Sequence, residues 1–325
     1  MFRHIWVAGL GLALLAGCSD SGSGGGTGAL SLGVTDAPVD DADAVVVGFS
    51  AVELLDADGG VALRFDFDEI QTVDLLEQQG DNQFFLIQDE QIPSGVYEEV
   101  RLIVAEQSNA SCNAAQANPN RPSYITVDGV DYPLIVPSGA QTGLKVRGPL
   151  TIAAGGSAAY TVDFDLRKSI AERGATGCYN LRPVLRVVDN AEVGTLTGSV
   201  DPALLADSSC TADPVSGAGA AVYVYSGSGV TPDDFDGTDP EPLTTALLQP
   251  EMLDGALVDF SYEVGFLLEG NYTVALSCQA GDDLPAPSDD DIVFIQPGDV
   301  EIIRDTVSEF DFAVIDEEVP VETTE

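Results

Sequence analysis

The chain has 325 residues, 45% of them apolar, and its 12 Lys and Arg residues stand against 54 Asp and Glu residues, a formal net charge of −42. The apolar share excludes an intrinsically disordered polymer, and the length predicts two domains, each with its own core. Since nucleic acids are bound through Lys and Arg, this charge excludes nucleic acid as a partner.

The acidity has two interpretations that the sequence leaves open. Carboxylates spread over the whole chain favour solubility at high ionic strength, where salt screens their mutual repulsion. Carboxylates that converge in clusters would instead bind divalent cations, because Ca²⁺ prefers oxygen ligands.

The first 18 residues predict an export signal. Arg3 precedes an apolar run from Ile5 to Leu15, which is too short to span a bilayer. The run ends in Leu15-Ala16-Gly17-Cys18, and this order resembles the signal of bacterial lipoproteins. The resemblance implies cleavage of residues 1–17 and attachment of lipid, such as palmitate, to Cys18. The alternative is a membrane helix that is never cleaved and carries an ordinary cysteine.

Residues 18–28 form a linker rich in Ser and Gly. Ten such residues have a root-mean-square reach of roughly 17 Å, so the linker predicts a short flexible tether. Ser19 directly after the cysteine resembles the pattern sorted to the outer membrane of Gram-negative bacteria. We therefore expect a lipid-anchored protein at the outer membrane, facing the periplasm or the cell surface.

Residues 29–190 predict a first domain of short strands. Residues 160–167 alternate apolar and polar, which is typical of a strand with one packed and one solvated face. Asp56-Ala57-Asp58-Gly59-Gly60 predicts a hairpin turn, and residues 69–79 predict the only sizeable helix. Many short strands with little helix indicate an antiparallel sandwich or barrel. The further strands are predicted at residues 30–34, 44–49, 51–55, 61–67, 84–88, 97–107, 124–127, 132–135, 143–146, 159–166 and 181–188.

Five blocks in this region form a pattern in chain order: Gly33–Asp40, Pro93–Tyr97, Val136–Lys145, Asp163–Ile170 and Leu181–Val187. Together they resemble the bacterial lipoprotein family named domain of unknown function 4382. The resemblance implies a secreted, lipid-tethered β domain, and it supplies no activity and no catalytic residues.

Residues 191–315 form a second region, in which Arg304 is the only basic residue. Gly194–Val200, Ala220–Tyr225 and Phe266–Ala275 are similar to the carboxypeptidase-regulatory, or prealbumin-like, sandwich. That resemblance implies a Greek-key β-sandwich that serves as a binding or spacer module. Residues 316–325 form an acidic tail.

Five cysteines fit an oxidising compartment, because four remain once Cys18 carries lipid. Four cysteines allow three pairings. We choose Cys112 with Cys178 and Cys210 with Cys278, since each pair then lies inside one predicted domain. The alternative is four buried thiols.

The absence of histidine from the predicted mature chain excludes most catalytic systems. The only histidine is His4, inside the segment predicted to be removed. Ser-His-Asp and Cys-His nucleophiles and the usual zinc sites all need imidazole. A hydrolase built on a carboxylate pair survives this argument, but no catalytic constellation stands out. We therefore expect that the protein is not an enzyme.

Calcium is the most concrete ligand hypothesis, and no other cofactor is expected. Asp36, Asp40, Asp41 and Asp43 crowd one segment, which lies in a family block. Two further acidic groups occur at residues 233–239 and 289–291. Each group has the alternative interpretation of a solvated acidic turn, since Ca²⁺ requires six to eight converging oxygens.

Two other features have a structural and a functional interpretation. Tyr223 and Tyr225 alternate with valines and so share one strand face, which predicts either a sandwich core or a stacking platform for a ligand. Seven of the twelve basic residues lie between Lys145 and Arg186. They predict either a docking patch for an anionic partner or ion pairs with Asp163, Asp165 and Glu172.

The sequence as a whole predicts an all-β protein of two antiparallel β-sandwich domains behind a lipoprotein signal and a linker. The expected function is a non-catalytic binding or adhesion-type module, held to the membrane by its lipid, whose partner is an extracellular polysaccharide or protein. The alternatives are an acidic scaffold loaded with Ca²⁺ and a cell-surface carboxylate hydrolase.

Overall fold

The computed structural model describes residues 26–37, 42–105, 121–174, 177–283 and 289–314. The predicted signal peptide, Cys18 and the acidic tail lie outside these residues. None of the helices in the described ranges has the length and apolar character needed to cross a membrane.

The first domain consists of strands and very short helices. The strands are β1 (Thr27–Ala37), β2 (Ala44–Leu55), β3 (Val61–Asp74), β4 (Phe84–Pro93), β5 (Gly95–Val104), β6 (Tyr124–Val127), β7 (Val130–Ile135), β8 (Leu144–Ile152), β9 (Ser157–Asp165), β10 (Ile170–Glu172), β11 (Tyr179–Leu181) and β12 (Val184–Asp189). The helices are α1 (Gly139–Thr142), α2 (Leu166–Ser169) and a 3₁₀ turn at Leu75–Glu77.

Two sheets form this domain. Within the described ranges, one sheet has the order β12-β9-β1-β4 and the other β10-β11-β7-β6-β2-β5-β8, with β3 paired to β2. Most pairs are antiparallel, as predicted, but β1 pairs with β9, and β11 with β7, in parallel. The core lies between the sheets, where Phe49 of β2 packs against Phe164 of β9 with ring centroids 6.4 Å apart.

The predicted alternation of β9 is confirmed for its apolar face. Tyr160, Val162 and Phe164 are at most 4% exposed. The opposite face is not solvated as expected, because Thr161 is fully buried and Asp163 is 8% exposed. The Thr161 hydroxyl lies 2.8 Å from both Gln83 Oε1 and Asn190 Oδ1, so neighbouring segments cover this face.

The prediction of a helix at residues 69–79 is wrong. Strand β3 continues to Asp74, and only the 3₁₀ turn follows it. Residues 71–74 pair with residues 46–49 of β2, so their backbone groups serve the sheet rather than a helix. Tertiary pairing overrides the local pattern here.

The strand predicted at residues 181–188 is divided in two. Pro183 falls between β11 and β12, and a proline cannot donate the hydrogen bond that a continuous strand requires. The two pieces belong to different sheets, so the chain crosses from one layer of the sandwich to the other at this residue.

The second domain has eight strands within the described ranges, together with 3₁₀ turns at Pro202–Leu205 and Ala280–Asp282. The strands are β13 (Val193–Val200), β14 (Ala221–Ser226), β15 (Thr244–Leu247), β16 (Gln249–Leu253), β17 (Ala256–Leu268), β18 (Gly270–Ser277), β19 (Phe294–Ile302) and β20 (Val307–Glu309).

These strands form two four-stranded sheets within the described residues, ordered β16-β17-β13-β20 and β15-β14-β18-β19. Val222 and Val224 of β14 face the core between the sheets, with Leu196 and Phe260. The alternate residues of β14 face outward into a separate aromatic cluster. The all-β fold predicted from the sequence is confirmed.

The structure describes both cysteines of the second domain and one cysteine of the first. Cys210 and Cys278 form a disulfide, with their Cα atoms 5.1 Å apart. Cys178 is also disulfide-bonded, and Cys112, its expected partner, lies outside the described residues.

The Cys210–Cys278 disulfide closes a loop with a sequence separation of 68 residues. The chain-entropy estimate for such a loop is about 4 kcal/mol. We expect the double variant Cys210→Ala/Cys278→Ala to lose about 2–4 kcal/mol of unfolding free energy, measured by urea denaturation. An unchanged denaturation midpoint would show that the bridge does not stabilise the second domain.

Candidate functional site

Two consecutive basic side chains project from α2, directly after β9. Asp165 begins this short helix, and its Oδ1 accepts a hydrogen bond from the Lys168 backbone N–H at 3.2 Å. The Ser169 hydroxyl donates to the Asp165 carbonyl and closes the turn. The turn therefore ends the strand and presents Arg167 and Lys168 to the second domain.

Arg167 crosses the junction between the domains and is only 4% exposed. Its Nη1 donates to the Ala280 carbonyl at 2.9 Å. The guanidinium carbon lies 6.0 Å from the ring centroid of Tyr223 and 5.7 Å from that of Phe235. A desolvated guanidinium gains cation–π attraction from such rings. Residues of the second domain thus enclose a cation from the first.

Acidic side chains lie beside this cation. The carboxylates of Asp234, Asp283 and Asp290 have oxygens within 4.8 Å of one another. Asp283 accepts hydrogen bonds from the Tyr223 hydroxyl at 2.7 Å and from the Phe235 N–H at 3.2 Å. Burial raises the pKa of Asp283, while the Tyr223 hydrogen bond and the charge of Arg167 oppose that shift.

The same three carboxylates are the described residues with the geometry to hold a metal ion. Carboxylate oxygens suit Ca²⁺. The sequence showed Asp234 and Asp290 in two separate acidic groups and gave no sign of Asp283. The fold brings them together because residues 234 and 283 both border the outer face of β14.

Lys168 also joins the two domains. Its Nζ donates to the Pro242 carbonyl at 2.8 Å and lies 3.4 Å from Glu241 Oε2, both in the second domain. The same ammonium lies 3.3 Å from Asp165 Oδ2 and 4.6 Å from the ring centroid of Phe235. Burial raises the pKa of Asp165, and the Lys168 ammonium opposes the rise.

A cavity of about 310 Å³ opens beside Lys168, between the domains. Arg186 pairs there with Asp163, with both Nε and Nη2 2.6 Å from Oδ2. The cavity therefore has two cation–carboxylate pairs at its wall, and its size suits a small ligand. Its remaining lining residues are Val184, Leu185, Ser226, Glu241, Pro242, Leu243 and Thr244.

The domains also meet at a second point, near the end of the 3₁₀ turn of the first domain. The Asp81 N–H donates to Glu263 Oε1 at 2.7 Å. A Cβ atom added at Gly265 would collide with the carbonyl oxygen of Gly80, so only glycine permits this approach. Burial raises the pKa of Glu263, and the Asp81 N–H opposes the rise.

A groove of about 750 Å³ lies next to this second contact. Its described lining carries the carboxylates of Glu77, Glu263, Glu309 and Asp311 and no basic side chain. The other lining residues are mainly hydroxyl and amide side chains, which donate and accept hydrogen bonds. The groove thus suits a polar ligand without negative charge. The hydroxyl and amide residues that line the groove are Gln79, Asn82, Thr197, Ser199, Gln249, Ser261 and Tyr262.

The structure describes two of the four predicted calcium residues, and their environments differ. Asp36 is 5% exposed, at the end of β1, and Asp43 is exposed before β2, where its Oδ2 accepts a hydrogen bond from the Gly129 N–H at 2.8 Å. Asp43 therefore serves a neighbouring turn. Asp40 and Asp41 lie outside the described residues.

Asp36 is a buried acid whose carboxylate is poorly hydrogen-bonded. Neither carboxylate oxygen has a hydrogen bond of ordinary geometry. Burial raises the pKa of Asp36 well above its usual range, and the charges of Asp163 and Asp165 raise it further; the Leu166 N–H opposes the rise. A carboxyl in this environment retains its proton at a pH where an exposed aspartate is ionised.

Tyr223 and Tyr225 do share one face of β14, but neither ring is open to a ligand. They are 0% and 1% exposed. Phe294 packs against both, with ring centroids 5.2 Å and 6.3 Å away. These residues therefore belong to a buried core, as one of the two interpretations predicts. Their rings are not exposed as a stacking platform for a ligand.

The basic residues between Lys145 and Arg186 have more than one role. Ion pairing, one of the two predicted interpretations, describes Arg186 and Lys168. Arg167 belongs to this predicted basic group, but the sequence gave no sign that its side chain is buried against the second domain. The sequence showed only a basic pair directly after a strand in a family block.

The raised pKa of Asp36 makes the stability of the folded protein depend on pH. A carboxyl whose pKa is raised by folding binds its proton more tightly in the native state, so its contribution to stability is lost as pH rises above about 4. We expect Asp36→Asn to be more stable than the wild type at pH 7 by on the order of 1 kcal/mol, or about 2–4 °C in Tm.

Thermal unfolding at pH 3 and pH 7 checks this prediction, with Asp58→Asn as the control because Asp58 is exposed in the β2–β3 turn. The gain should vanish at pH 3, where Asp36 is protonated in both the folded and the unfolded chain. A loss of stability at pH 7 would instead indicate that Asp36 is ionised and held by a cation.

Comparison with solved structures found only remote likenesses. A leucine-rich repeat protein from Bacteroides thetaiotaomicron shares 10% identity, over 89% of this chain and 26% of that protein, with a TM-score of 0.22. The minor pilin GBS52 of Streptococcus agalactiae shares 10% identity, over 89% and 98% of the two chains, with a TM-score of 0.18. A point mutant of the major pilin of Streptococcus pyogenes shares 13% identity, over 89% and 100%, with a TM-score of 0.15.

These TM-scores are too low to support any argument about function. A search of curated protein sequences found no match. Comparison with family models was more informative, because it covers the domain that carries α2 and Asp36. Residues 27–183 match the family described as a domain of unknown function, DUF4382.

Proposed function

We propose that the protein is a non-catalytic lipoprotein of the outer membrane or cell surface, in which two joined β-sandwiches serve as a binding module. The junction between the two domains is the observation that supports this proposal. There Arg167, Lys168 and Gly265 fix the domains against each other and leave a groove of about 750 Å³ open beside them.

The partner that fits the groove is an extracellular polysaccharide or protein segment without negative charge. Carboxylates repel anionic polymers, and the net charge of −42 extends that repulsion over the surface. The hydroxyl and amide groups of the lining suit the hydrogen bonds of neutral sugars or a peptide backbone.

Membrane attachment is the part of the proposal that rests on the sequence. The box ending in Cys18 and the Ser-Gly linker support a lipid anchor with a flexible tether. A lipid anchor at the mature N-terminus would hold the binding module within a few nanometres of the membrane.

Replacement of the lipidated cysteine tests this anchor. We expect Cys18→Ser to abolish incorporation of labelled palmitate and to shift the protein from the membrane fraction to the soluble or precursor fraction. Ser19→Ala is the matched control and should keep the label. Equal labelling of wild type and Cys18→Ser would contradict the anchor.

A bulky side chain in the groove tests the binding surface. Gln249 is exposed on β16 and lines the groove, while Met252 is 53% exposed on the same strand outside the lining. In a panel of glycans, peptidoglycan fragments and surface proteins, Gln249→Trp should weaken binding at least about tenfold, which is about 1.4 kcal/mol. Met252→Trp should bind as the wild type does.

The outcome of that panel also separates the proposed classes. Chemical turnover of a bound glycan would contradict a non-catalytic module and favour the carboxylate hydrolase. Equal loss of binding in both tryptophan variants would contradict the groove as the binding surface.

The second candidate, an acidic scaffold loaded with Ca²⁺, is favoured by the three converging carboxylates of Asp234, Asp283 and Asp290. It predicts selective, saturable thermal stabilisation by Ca²⁺ over Mg²⁺ at low salt, which Asp234→Asn removes. We favour the binding module, because Arg167 already provides positive charge beside Asp283.

A further inference from the structure

Arg167 occupies a pocket that residues of the second domain form. Tyr223 and Phe235 contribute ring faces, Ala280 contributes its carbonyl, and Asp283 contributes a carboxylate that accepts a hydrogen bond from the Tyr223 hydroxyl. We call these four residues the arginine pocket.

Contacts inside the second domain hold the arginine pocket in shape. Asp283 accepts hydrogen bonds from both Tyr223 and the Phe235 backbone, and the rings of Tyr223 and Phe235 lie 5.7 Å apart. Phe294 supports Tyr223 from another side. None of these contacts involves the first domain, so the pocket does not depend on its occupant for its geometry.

The chemistry of the pocket suits an arginine side chain. The faces of the two aromatic rings attract a flat cation. The carbonyl oxygen accepts a hydrogen bond from a guanidinium, and the carboxylate balances its positive charge. Asp234 and Asp290 add two further carboxylates within 4.8 Å of Asp283.

From this geometry we propose that the second domain carries a receptor pocket for an arginine side chain, which Arg167 of the first domain fills and closes. An arginine side chain presented by a partner protein would compete with Arg167 for this pocket. This inference goes beyond the proposed function, because it concerns a different surface from the groove.

Chemical rescue tests the receptor directly. Removing the side chain in Arg167→Ala, made in the full chain, should leave a pocket that binds methylguanidinium. A ligand at about ten times its dissociation constant raises Tm by a few degrees. We expect that saturable rise in Arg167→Ala, with a smaller rise for methylammonium, which lacks the planar donor group.

Two control proteins are compared with Arg167→Ala. Wild type, whose pocket is filled, and Arg147→Ala, which removes an exposed arginine of β8, should show only the weak destabilisation that guanidinium compounds cause. A response of Arg167→Ala equal to that of Arg147→Ala would overturn the proposal. So would an equal saturable rise in the wild type.

A second measurement applies even if Arg167→Ala does not fold. Phe235→Leu removes a ring that faces Arg167, while Phe294→Leu makes the same change in a ring that touches Tyr223 instead. Separation of the domains should expose the connection at Glu192 to a glutamate-specific protease. Cleavage after Glu192 should accelerate several-fold in Phe235→Leu relative to Phe294→Leu, and equal rates in the two variants would overturn the proposal.

Discussion

The burial of one charged side chain, Arg167, is the constraint on which the arrangement of the two domains depends. Moving an ion out of water costs several kcal/mol unless partners replace its hydration. Here the partners include two aromatic rings, the Ala280 carbonyl and the charge of Asp283, which belong to the second domain. These partners compensate the guanidinium when the domains are docked.

The other contacts at the junction follow from this docking. Lys168, the next residue along α2, reaches the Pro242 carbonyl and Glu241, and at the other end Gly265 lets the backbone of the second domain approach Gly80. Between these points the surfaces do not close completely. The cavity beside Lys168 and the groove beside Gly80 are two spaces that remain between the described residues, and residues of both domains form their walls.

Local patterns in the sequence were sufficient to predict most strands, because alternation and turn residues act over a few neighbouring positions. The hairpin turn at residues 56–60 is an example, since Asp56 Oδ1 accepts the Gly60 N–H at 2.9 Å within the turn itself. The helix expected at residues 69–79 failed because β2 pairs with that segment from afar. The proximity of Arg167 and Asp283 was missed for the same reason: they lie far apart in the sequence, and only the docked fold gives them a common environment.

Docking through Arg167 makes the two sandwiches of the free protein tumble as one rigid body. Backbone ¹⁵N relaxation of the protein without its first 18 residues measures the rotational correlation time of each domain separately. We expect one shared correlation time, close to that of a compact particle of the full mass. Two shorter and unequal correlation times, each fitting a single domain, would contradict it.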